Sequence, residues 1–488
     1  MTNRNITFIH LDLGIGGAEQ LVINLAMASL NDPTVPDSST SKSHNTVKIY
    51  TSNCDQSHCF DEVNIEKRGT LAGCVRVRGS FLPDEIRVPF TNKSMGGRAL
   101  CSTIRIFYLS LCAIFDYWFC SGSNCKGDED TLFVIDVLPT SIPLMKLLLY
   151  PASYLKSKFV GILFYCHFPD KHLVRDTING EVTNKNRRSF LRSTYRYILD
   201  YAEEASMSHA NFVLVNSNFT REVVLESFPR FTLRGVPTKV LYPSINIENF
   251  VPPSENDKSL SIGPIVSLNR FERKKNIQLL LEAIKILTNR LPSNLIKELS
   301  VVIAGGYDVQ NDENINYLNE LKELANNLGV KDLISFETSI SDERRATLLQ
   351  SALCVCYTPH REHFGIVPLE AMYAGSPVVA VKSGGPRETV IDGETGYLVE
   401  GTSEAFAEAL STLITNPNKA NQMGLAGNNH VYENFRAENF CRKWLAHVDK
   451  AMEFAKVEKS RSISIQFVYT FIGIFALWSC FAIGNCYS

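Results

Sequence analysis

Apolar runs alternate with stretches of helical periodicity along most of the chain. "NITFIHLDL" (5–13) has a continuous strand pattern, and "GAEQLVINLAMASL" (17–30) places apolar residues at helical spacing. Further strands are predicted at "TVKIYTS", "TLFVID", "FVGILFYCHF" and "NFVLVNS". Strands that are apolar throughout and separated by helices are typical of a parallel sheet covered by helices on both faces.

A second alternating series follows a polar break. The break at 241–263 is rich in Pro, Ser and Asn, which favours an interdomain linker. Since 488 residues exceed what one hydrophobic core usually holds, we predict two doubly wound, Rossmann-like α/β domains facing a cleft. The predicted units are a first domain at 1–243, a linker at 244–262, a second domain at 263–456 whose last helix is able to cross back, and a membrane anchor at 457–488.

The predicted anchor lacks charged side chains after position 461. Its apolar segment at 463–484 is long enough to span a bilayer as a helix. Lys456, Lys459 and Arg461 precede it, so the positive-inside rule places the preceding domains in the cytosol. A buried core helix is the alternative, which the terminal position and Trp478 make less favoured.

Two earlier apolar segments have no single interpretation. The segment at 99–120 contains Arg105 and Asp116, and the segment at 142–159 contains three lysines. Neither has the pattern of a membrane span. Core helices and membrane-facing amphipathic helices are equally compatible with both segments.

Charge and cysteine content narrow the class of protein. The 49 basic and 51 acidic residues nearly balance, which argues against a general nucleic-acid binder. The 13 cysteines follow no regular framework, and this favours a reducing compartment over a disulfide scaffold.

Three motifs follow predicted strands, where open α/β sheets bind ligands. Gly16 and Gly17 allow backbone N–H groups to approach a phosphate or sugar at a helix start, although a simple tight turn is the alternative. Arg270 and Lys275 suit a diphosphate leaving group, with an exposed basic loop as the alternative. His167 is placed to hydrogen-bond a substrate or phosphate, although a lone histidine is more often structural.

The fourth motif, "EHFGIVPLE" (362–370), carries two acids eight positions apart. Gly365, Ile366 and Val367 are predicted to begin a helix whose free N–H groups hold a phosphate. Glu370 on that helix is placed to bind a ribose diol, and Glu362 to bind sugar hydroxyls. Nothing indicates two acids flanking a scissile bond, as a retaining glycosidase requires.

These motifs resemble a known family. The spacing of Glu362 and Glu370 is similar to the E-x7-E signature of retaining GT-B glycosyltransferases of family four, and the resemblance extends to about residue 456. "LDLGIGGAEQLV", "CHFPD", "LVNSNFT", "LYPSINI", "RFERKKN" and "EHFGIVPLEAMYAG" together resemble the dolichol-linked oligosaccharide α-1,3/1,6-mannosyltransferases of the endoplasmic reticulum.

The resemblance implies a substrate pair and a location. GDP-mannose would be the donor and Man-GlcNAc2-diphosphodolichol the acceptor, extended by an α-1,3 and then an α-1,6 mannose for N-glycosylation. The enzyme would lie at the endoplasmic reticulum membrane with its catalytic domains in the cytosol, with other enzymes of the same pathway as potential partners and no nucleic acid. No cofactor is expected to be required, and metal dependence is left open.

The resemblance also implies roles for the motif residues. Catalytic roles fall to His167, Arg270, Lys275 and Glu362; donor-binding roles fall to Gly16, Gly17, Gly365, Ile366, Val367 and Glu370. Arg361 stands where related sequences often have Asn, and no match for guanine recognition is evident. The alternatives are another membrane-bound GT-B transferase, such as one that transfers N-acetylglucosamine to phosphatidylinositol, and a non-catalytic membrane scaffold.

Overall fold

The computed structural model describes residues 4–30, 45–87, 94–119, 130–151, 158–169, 171, 177–178, 181–182, 190–245 and 263–461. Its N-terminal half forms a seven-stranded parallel sheet. In spatial order the strands are β11 (Thr238–Val240), β10 (Phe212–Val215), β7 (Val160–Cys166), β6 (Asp130–Asp136), β1 (Arg4–Ile9), β2 (Thr46–Thr51) and β3 (Val75–Val77). Two short antiparallel pairs lie outside it: β4 (Ile86–Arg87) with β5 (Ser94–Gly96), and β8 (Thr177–Ile178) with β9 (Glu181–Val182).

Helices cover both faces of this sheet, as the apolar strands require. They are α1 (Gly17–Leu30), α2 (Arg98–Phe119), α3 (Ile142–Leu149), α4 (Phe190–Met207), α5 (Asn218–Ser227) and α6 (Pro229–Arg234). α1 packs on one face, and α2, α3 and α5 pack on the other.

The C-terminal half forms a six-stranded parallel sheet. Its spatial order is β14 (Ile334–Thr338), β13 (Val301–Gly305), β12 (Ile265–Leu268), β15 (Cys354–Tyr357), β16 (Val378–Val381) and β17 (Gly396–Val399). Its helices are α7 (Gln278–Arg290), α8 (Ser293–Glu298), α9 (Asp312–Asn327), α10 (Asp342–Ser351), α11 (Ile366–Tyr373), α12 (Pro386–Thr389), α13 (Ser403–Thr415) and α14 (Pro417–Asn434). The two halves are therefore separate Rossmann-like domains with their own cores.

The last helix, α15 (Ala437–Arg461), crosses back to the first domain. Trp444 is fully buried against Phe8, with ring centroids 6.2 Å apart, and its Nε1 donates to Ser29 Oγ at 2.8 Å. The apolar segment at 463–484 and residues 246–262 of the predicted linker lie outside the described residues.

α2 is a helix of the first domain that carries two apolar faces. Its inner face packs on the sheet, and its three charged residues all have partners. Arg98 pairs with Glu85, Arg105 pairs with Asp12 and Asp84, and Asp116 accepts from Tyr50 Oη at 2.5 Å. Within the described residues, α2 is the one helix long and apolar enough to cross a membrane, by length and composition alone. The burial of Arg105 and the packing of the inner face make it part of the domain core.

Candidate active site

Motif residues of the first domain lie at the carboxyl ends of three neighbouring strands. His10 and the glycine loop follow β1, Asp136 ends β6, and His167 follows β7. Asp136 lies between the two histidines and links them: its carboxylate is 2.8 Å from His10 Nδ1 and 3.3 Å from His167 Nε2. His167 is thus oriented by a carboxylate that the sequence motifs did not reveal.

The His10–Asp136 contact is a buried ion pair, and each side chain is only 3% exposed. Both ring nitrogens of His10 face acceptors, because Nε2 also lies 2.9 Å from the Asp12 carbonyl oxygen. Burial alone would lower the pKa of His10, but the Asp136 carboxylate outweighs it and raises the pKa to about 9. Burial likewise opposes ionisation of Asp136, yet His10 lowers the pKa of that carboxyl to about 2. At neutral pH the pair is therefore charged.

The glycine loop ends where α1 begins, at Gly17. A methyl group on Gly16 would lie 2.3 Å from a carboxylate oxygen of Glu19, which folds over the loop. A methyl group on Gly16 would therefore only displace the flexible end of Glu19, and a methyl group on Gly17 would meet open space. The loop leaves the first N–H groups of α1 available for a ligand.

In the second domain, Lys275 and Glu362 form an ion pair. Lys275 ends a 3-10 turn after β12, Glu362 lies in the loop after β15, and their Nζ and Oε2 atoms are 2.5 Å apart. The side chains are 12% and 21% exposed. Burial opposes ionisation of Glu362, but Lys275 prevails and the pKa of the carboxyl is lowered. The site therefore holds an ionised carboxylate beside an ammonium group.

Arg270 lies at the same edge of the sheet but has a different partner. Its side chain is 64% exposed and lies 3.3 Å from Glu272. It passes over Gly306, where an added methyl group would lie 3.2 Å from Arg270 Cγ. The preceding Gly305 admits no side chain, because a methyl group there would lie 1.9 Å from the Asn269 carbonyl oxygen. Backbone contact thus requires glycine at position 305, whereas at position 306 only the flexible Arg270 side chain would have to move.

The predicted helix start after Glu362 is present as α11. Gly365 precedes its first residue with φ +86°, a left-handed conformation suited to glycine, and packs against the Tyr357 ring. Ile366 and Val367 form the first turn. The N–H groups of this turn have no partner within the helix, so they are available to an anion.

Glu370 has a partner that the sequence motifs did not indicate. Its carboxylate pairs with Arg345 of α10, the neighbouring helix. Burial raises the pKa of Glu370, although Arg345 opposes the shift. Tyr357 lies beneath both acids: burial, and then the neighbouring Glu362 carboxylate, raise the pKa of its hydroxyl well above the ordinary value. Tyr357 therefore stays protonated beside the Glu362 carboxylate.

The loops of the two domains meet directly across the cleft. Phe168, which follows His167, stacks on His363, which follows Glu362, with ring centroids 3.7 Å apart and planes 10° apart. Burial lowers the pKa of His363 to about 4, so its ring is uncharged at neutral pH. The Phe168–His363 stack therefore joins the residue that follows His167 in the first domain to the residue that follows Glu362 in the second.

Two parallel-sheet Rossmann-like domains that face each other across a cleft are the architecture of the GT-B class of glycosyltransferases. A model of the family "Glycosyl transferases group 1" matches residues 257–430. The sucrose-phosphate synthase of Thermosynechococcus elongatus is similar in fold, with a TM-score of 0.58 at 20% identity over 92% of this chain and 99% of that one.

Curated relatives define the family further. The chain is 36% identical to the alpha-1,3/1,6-mannosyltransferase ALG2 of Mus musculus, over 91% of this chain and 96% of the relative. It is 36% identical to the ALG2 of Dictyostelium discoideum, over 90% and 96% of the two chains. The chain belongs to the ALG2 family of alpha-1,3/1,6-mannosyltransferases.

Proposed function

We propose that the enzyme transfers mannose from GDP-mannose to Man-GlcNAc2-diphosphodolichol, first in α-1,3 and then in α-1,6 linkage. The observation that carries this proposal is the partly buried Lys275–Glu362 pair beside the start of α11. Lys275 and the start of α11 suit a diphosphate, and the Glu362 carboxylate suits sugar hydroxyls. The family membership and the sequence motifs favour mannose as the sugar and a lipid-linked oligosaccharide as the acceptor.

The proposed chemistry retains the configuration of mannose without a protein nucleophile. The bond from the mannose anomeric carbon to the GDP phosphate oxygen breaks, and a bond to the acceptor hydroxyl oxygen forms on the same face. The departing phosphate takes the proton of that hydroxyl. Lys275, Arg270 and the first N–H groups of α11 stabilise the charge that grows on the diphosphate. Glu362, already paired with Lys275, binds mannose hydroxyls.

Glu370 is proposed to bind the donor ribose. Its pairing with Arg345 holds the carboxylate in place before the nucleotide arrives. A carboxylate oxygen accepts well from two neighbouring hydroxyls, which matches a ribose diol. Gly16 and Gly17 are proposed to bring backbone N–H groups to the sugar or phosphate from the first domain, and His167 to contact the transferred mannose.

The first experiment tests the donor and the reaction. The purified enzyme is incubated with GDP-mannose and a lipid-linked Man-GlcNAc2 acceptor, and the linkages of the products are determined. Two added mannoses in α-1,3 and α-1,6 linkage are expected, with GDP and not UDP acting as the competitive inhibitor. Inhibition by UDP alone, with transfer of N-acetylglucosamine to phosphatidylinositol, would establish the alternative transferase. Absence of any transfer by protein that binds GDP would favour a scaffold.

The enzyme is also proposed to work on the cytosolic face of the endoplasmic reticulum membrane, anchored by the apolar segment at 463–484. The outer stripe of α2 supports a second membrane contact. It consists of Leu100, Ile104, Leu111, Phe115 and Phe119, which share one helical face and are 42–59% exposed. Contact of this face with lipid would place the first domain beside an acceptor that stays in the bilayer.

Charge on this outer stripe is expected to impair use of a membrane-bound acceptor. Full-length enzyme carrying both Leu111→Glu and Phe115→Glu should lose about tenfold or more in kcat/KM toward dolichol-linked acceptor in vesicles, because two apolar side chains no longer enter lipid. Activity toward a water-dispersed, short-chain acceptor should be unchanged. Leu233→Glu, at an 86% exposed position on α6, is the matched control. Equal loss on both acceptors would contradict a membrane role for the stripe.

A further inference from the structure

Two stretches outside the site described above meet across the boundary between the domains. "NSNFT" (216–220) forms the start of α5 in the first domain, and "GGPRET" (384–389) forms the turn into α12 in the second. Ser217 caps α5 by accepting from the Thr220 N–H at 3.0 Å. Its hydroxyl donates to the His363 carbonyl oxygen at 2.6 Å, so the cap of α5 also binds the loop that follows Glu362.

Glu388 on α12 completes this contact. Its carboxylate accepts from the backbone N–H groups of Asn218 at 2.8 Å and Phe219 at 2.7 Å, and from the Tyr242 hydroxyl at 2.9 Å. The Asn218 side-chain amide donates to it at 3.1 Å. The first N–H groups of a helix have no partner within the helix and favour an anion. Glu388 of the second domain therefore supplies the anionic acceptor for the free N–H groups at the start of α5 in the first domain.

The protonation and ring packing of Tyr242 both help to fix the geometry of this contact. Burial, and then the Glu388 carboxylate, raise the pKa of the Tyr242 hydroxyl, which keeps it a donor at physiological pH. Its ring stacks on Phe364, with centroids 5.8 Å apart, and lies 5.7 Å from Phe435. Tyr242 precedes the linker, and Phe435 precedes α15. The contact thus lies beside both points at which the chain passes between the domains.

The glycine turn connects Glu388 rigidly to the Glu362 loop. Gly385 N–H donates to the Glu362 carbonyl oxygen at 2.8 Å. Gly384 has φ +65°, and a methyl group on it would lie 2.3 Å from that same oxygen. A methyl group on Gly385 would lie 2.2 Å from the Phe364 carbonyl oxygen. Only glycine allows the turn to lie this close to the loop, so α12 and the loop form one unit.

We propose that Glu388 is a positioning residue for mannosyl transfer, which docks the start of α5 against the Glu362 loop and so sets the placement of His167 opposite Glu362. The α5 contact and the Phe168–His363 stack hold the same loop from the first domain. Loss of the carboxylate leaves the N–H groups of Asn218 and Phe219 without an anionic acceptor. The domains then sample arrangements in which the two halves of the site are apart.

The test combines hydrogen–deuterium exchange with kinetics on the full-length Glu388→Gln enzyme. Amides in peptides spanning 216–227 should exchange about tenfold faster, because hydrogen bonds to a charged acceptor are lost. The kcat for mannosyl transfer should fall about tenfold. Affinity for GDP should change less than about twofold, since on the proposed function the nucleotide binds mainly to the second domain. The exchange measurement needs no substrate, so its outcome is independent of the proposed donor.

Two further variants keep the test decisive. Glu408→Gln makes the same chemical change at an exposed position of the second domain away from the boundary, and should match the wild type in exchange and rate. Tyr242→Phe removes the hydrogen bond donated to Glu388 and the one accepted from the Asn218 side chain, but it keeps the carboxylate and should give a smaller effect in the same direction. Unchanged exchange at 216–227 in Glu388→Gln would overturn the docking role. Faster exchange with an unchanged kcat would overturn the link to catalysis.

Discussion

Replacing Lys275 by Ala is expected to lower kcat for mannosyl transfer by about 10²–10³-fold, which is the usual cost of removing one group that stabilises developing negative charge. Affinity for GDP should fall much less. The Lys275 side chain is only 12% exposed and its Nζ is held 2.5 Å from Glu362 Oε2, so the charge acts from a fixed position with little solvent screening. Its attraction grows as charge moves onto the departing diphosphate, which favours the transition state over the bound donor.

Steady-state kinetics and equilibrium titration with GDP measure these two quantities separately. Lys274→Ala is the matched control, because that side chain is 63% exposed, pairs with Glu272, and stands one position away. Its kcat should stay near that of the wild type. Equal losses in kcat and in GDP affinity for Lys275→Ala would mean that the lysine binds the ground state and the transition state alike.

The placement of Lys275 near Glu362 follows partly from sequence. Both residues follow apolar strands of one predicted parallel sheet, and carboxyl ends of such strands share an edge. The alternation of apolar strands and helices does not predict the order in which the strands lie side by side in the sheet. β12 and β15 are neighbours although β13 and β14 lie between them in the chain. That order brings residues 87 positions apart into contact, and it depends on packing of the whole domain.

Partners of the predicted site residues were harder to infer. Arg345 lies on α10, whose sequence is that of a polar surface helix. Arg345 and Glu370 are too far apart in the chain for any helical or strand periodicity to predict their contact. His10 and Asp136 sit at the ends of apolar strands, where a charged pair has no periodic signature. A polar residue at the end of an otherwise apolar strand was the available signal. Only the adjacency of β1 and β6 turns two such residues into an ion pair.

Helix α2 shows a different limit of sequence patterns. Apolar residues on both faces suit a core helix, a membrane span and an amphipathic surface helix equally well. Tertiary contacts show that the inner face of α2 packs in the domain core, because Arg105 pairs with Asp12 in the loop after β1 and Asp116 accepts a hydrogen bond from Tyr50 on β2. The role of the outer stripe stays a prediction, and the vesicle assay tests it.

Ion pairs and hydrogen bonds hold the predicted site residues of both domains in place. In the second domain, Lys275 and Arg345 each hold one acid of the E-x7-E motif. In the first domain, Asp136 orients His167 and is itself held by His10. Since buried charges require partners, each pair fixes a side chain before substrate arrives. The Glu388 contact then sets the two halves against each other.

Asp136→Asn is expected to destabilise the fold strongly, by about 3–5 kcal/mol, because removal of one partner leaves the buried His10 without its counter-charge. Thermal unfolding at pH 6 measures the loss. Asp61→Asn is the control, since Asp61 pairs with Lys67 on the surface, where both side chains are more than 60% exposed and water screens their attraction. If the two variants unfold at similar temperatures, the His10–Asp136 pair does not stabilise the fold.

The pH dependence of the wild type gives this prediction a second measurement. The raised pKa of His10, about 9, means that its stabilising contribution is complete below the ordinary histidine value of 6.5 and is lost as pH rises through 9. The lowered pKa of Asp136, about 2, means that its contribution is complete above the ordinary value of 3.8 and is lost as pH falls through 2. The stability difference between wild type and Asp136→Asn should therefore be largest between pH 3.8 and 6.5 and should shrink as pH rises toward 9. A difference that does not vary with pH would show that Asp136 stabilises the domain by packing and hydrogen bonding without its charge.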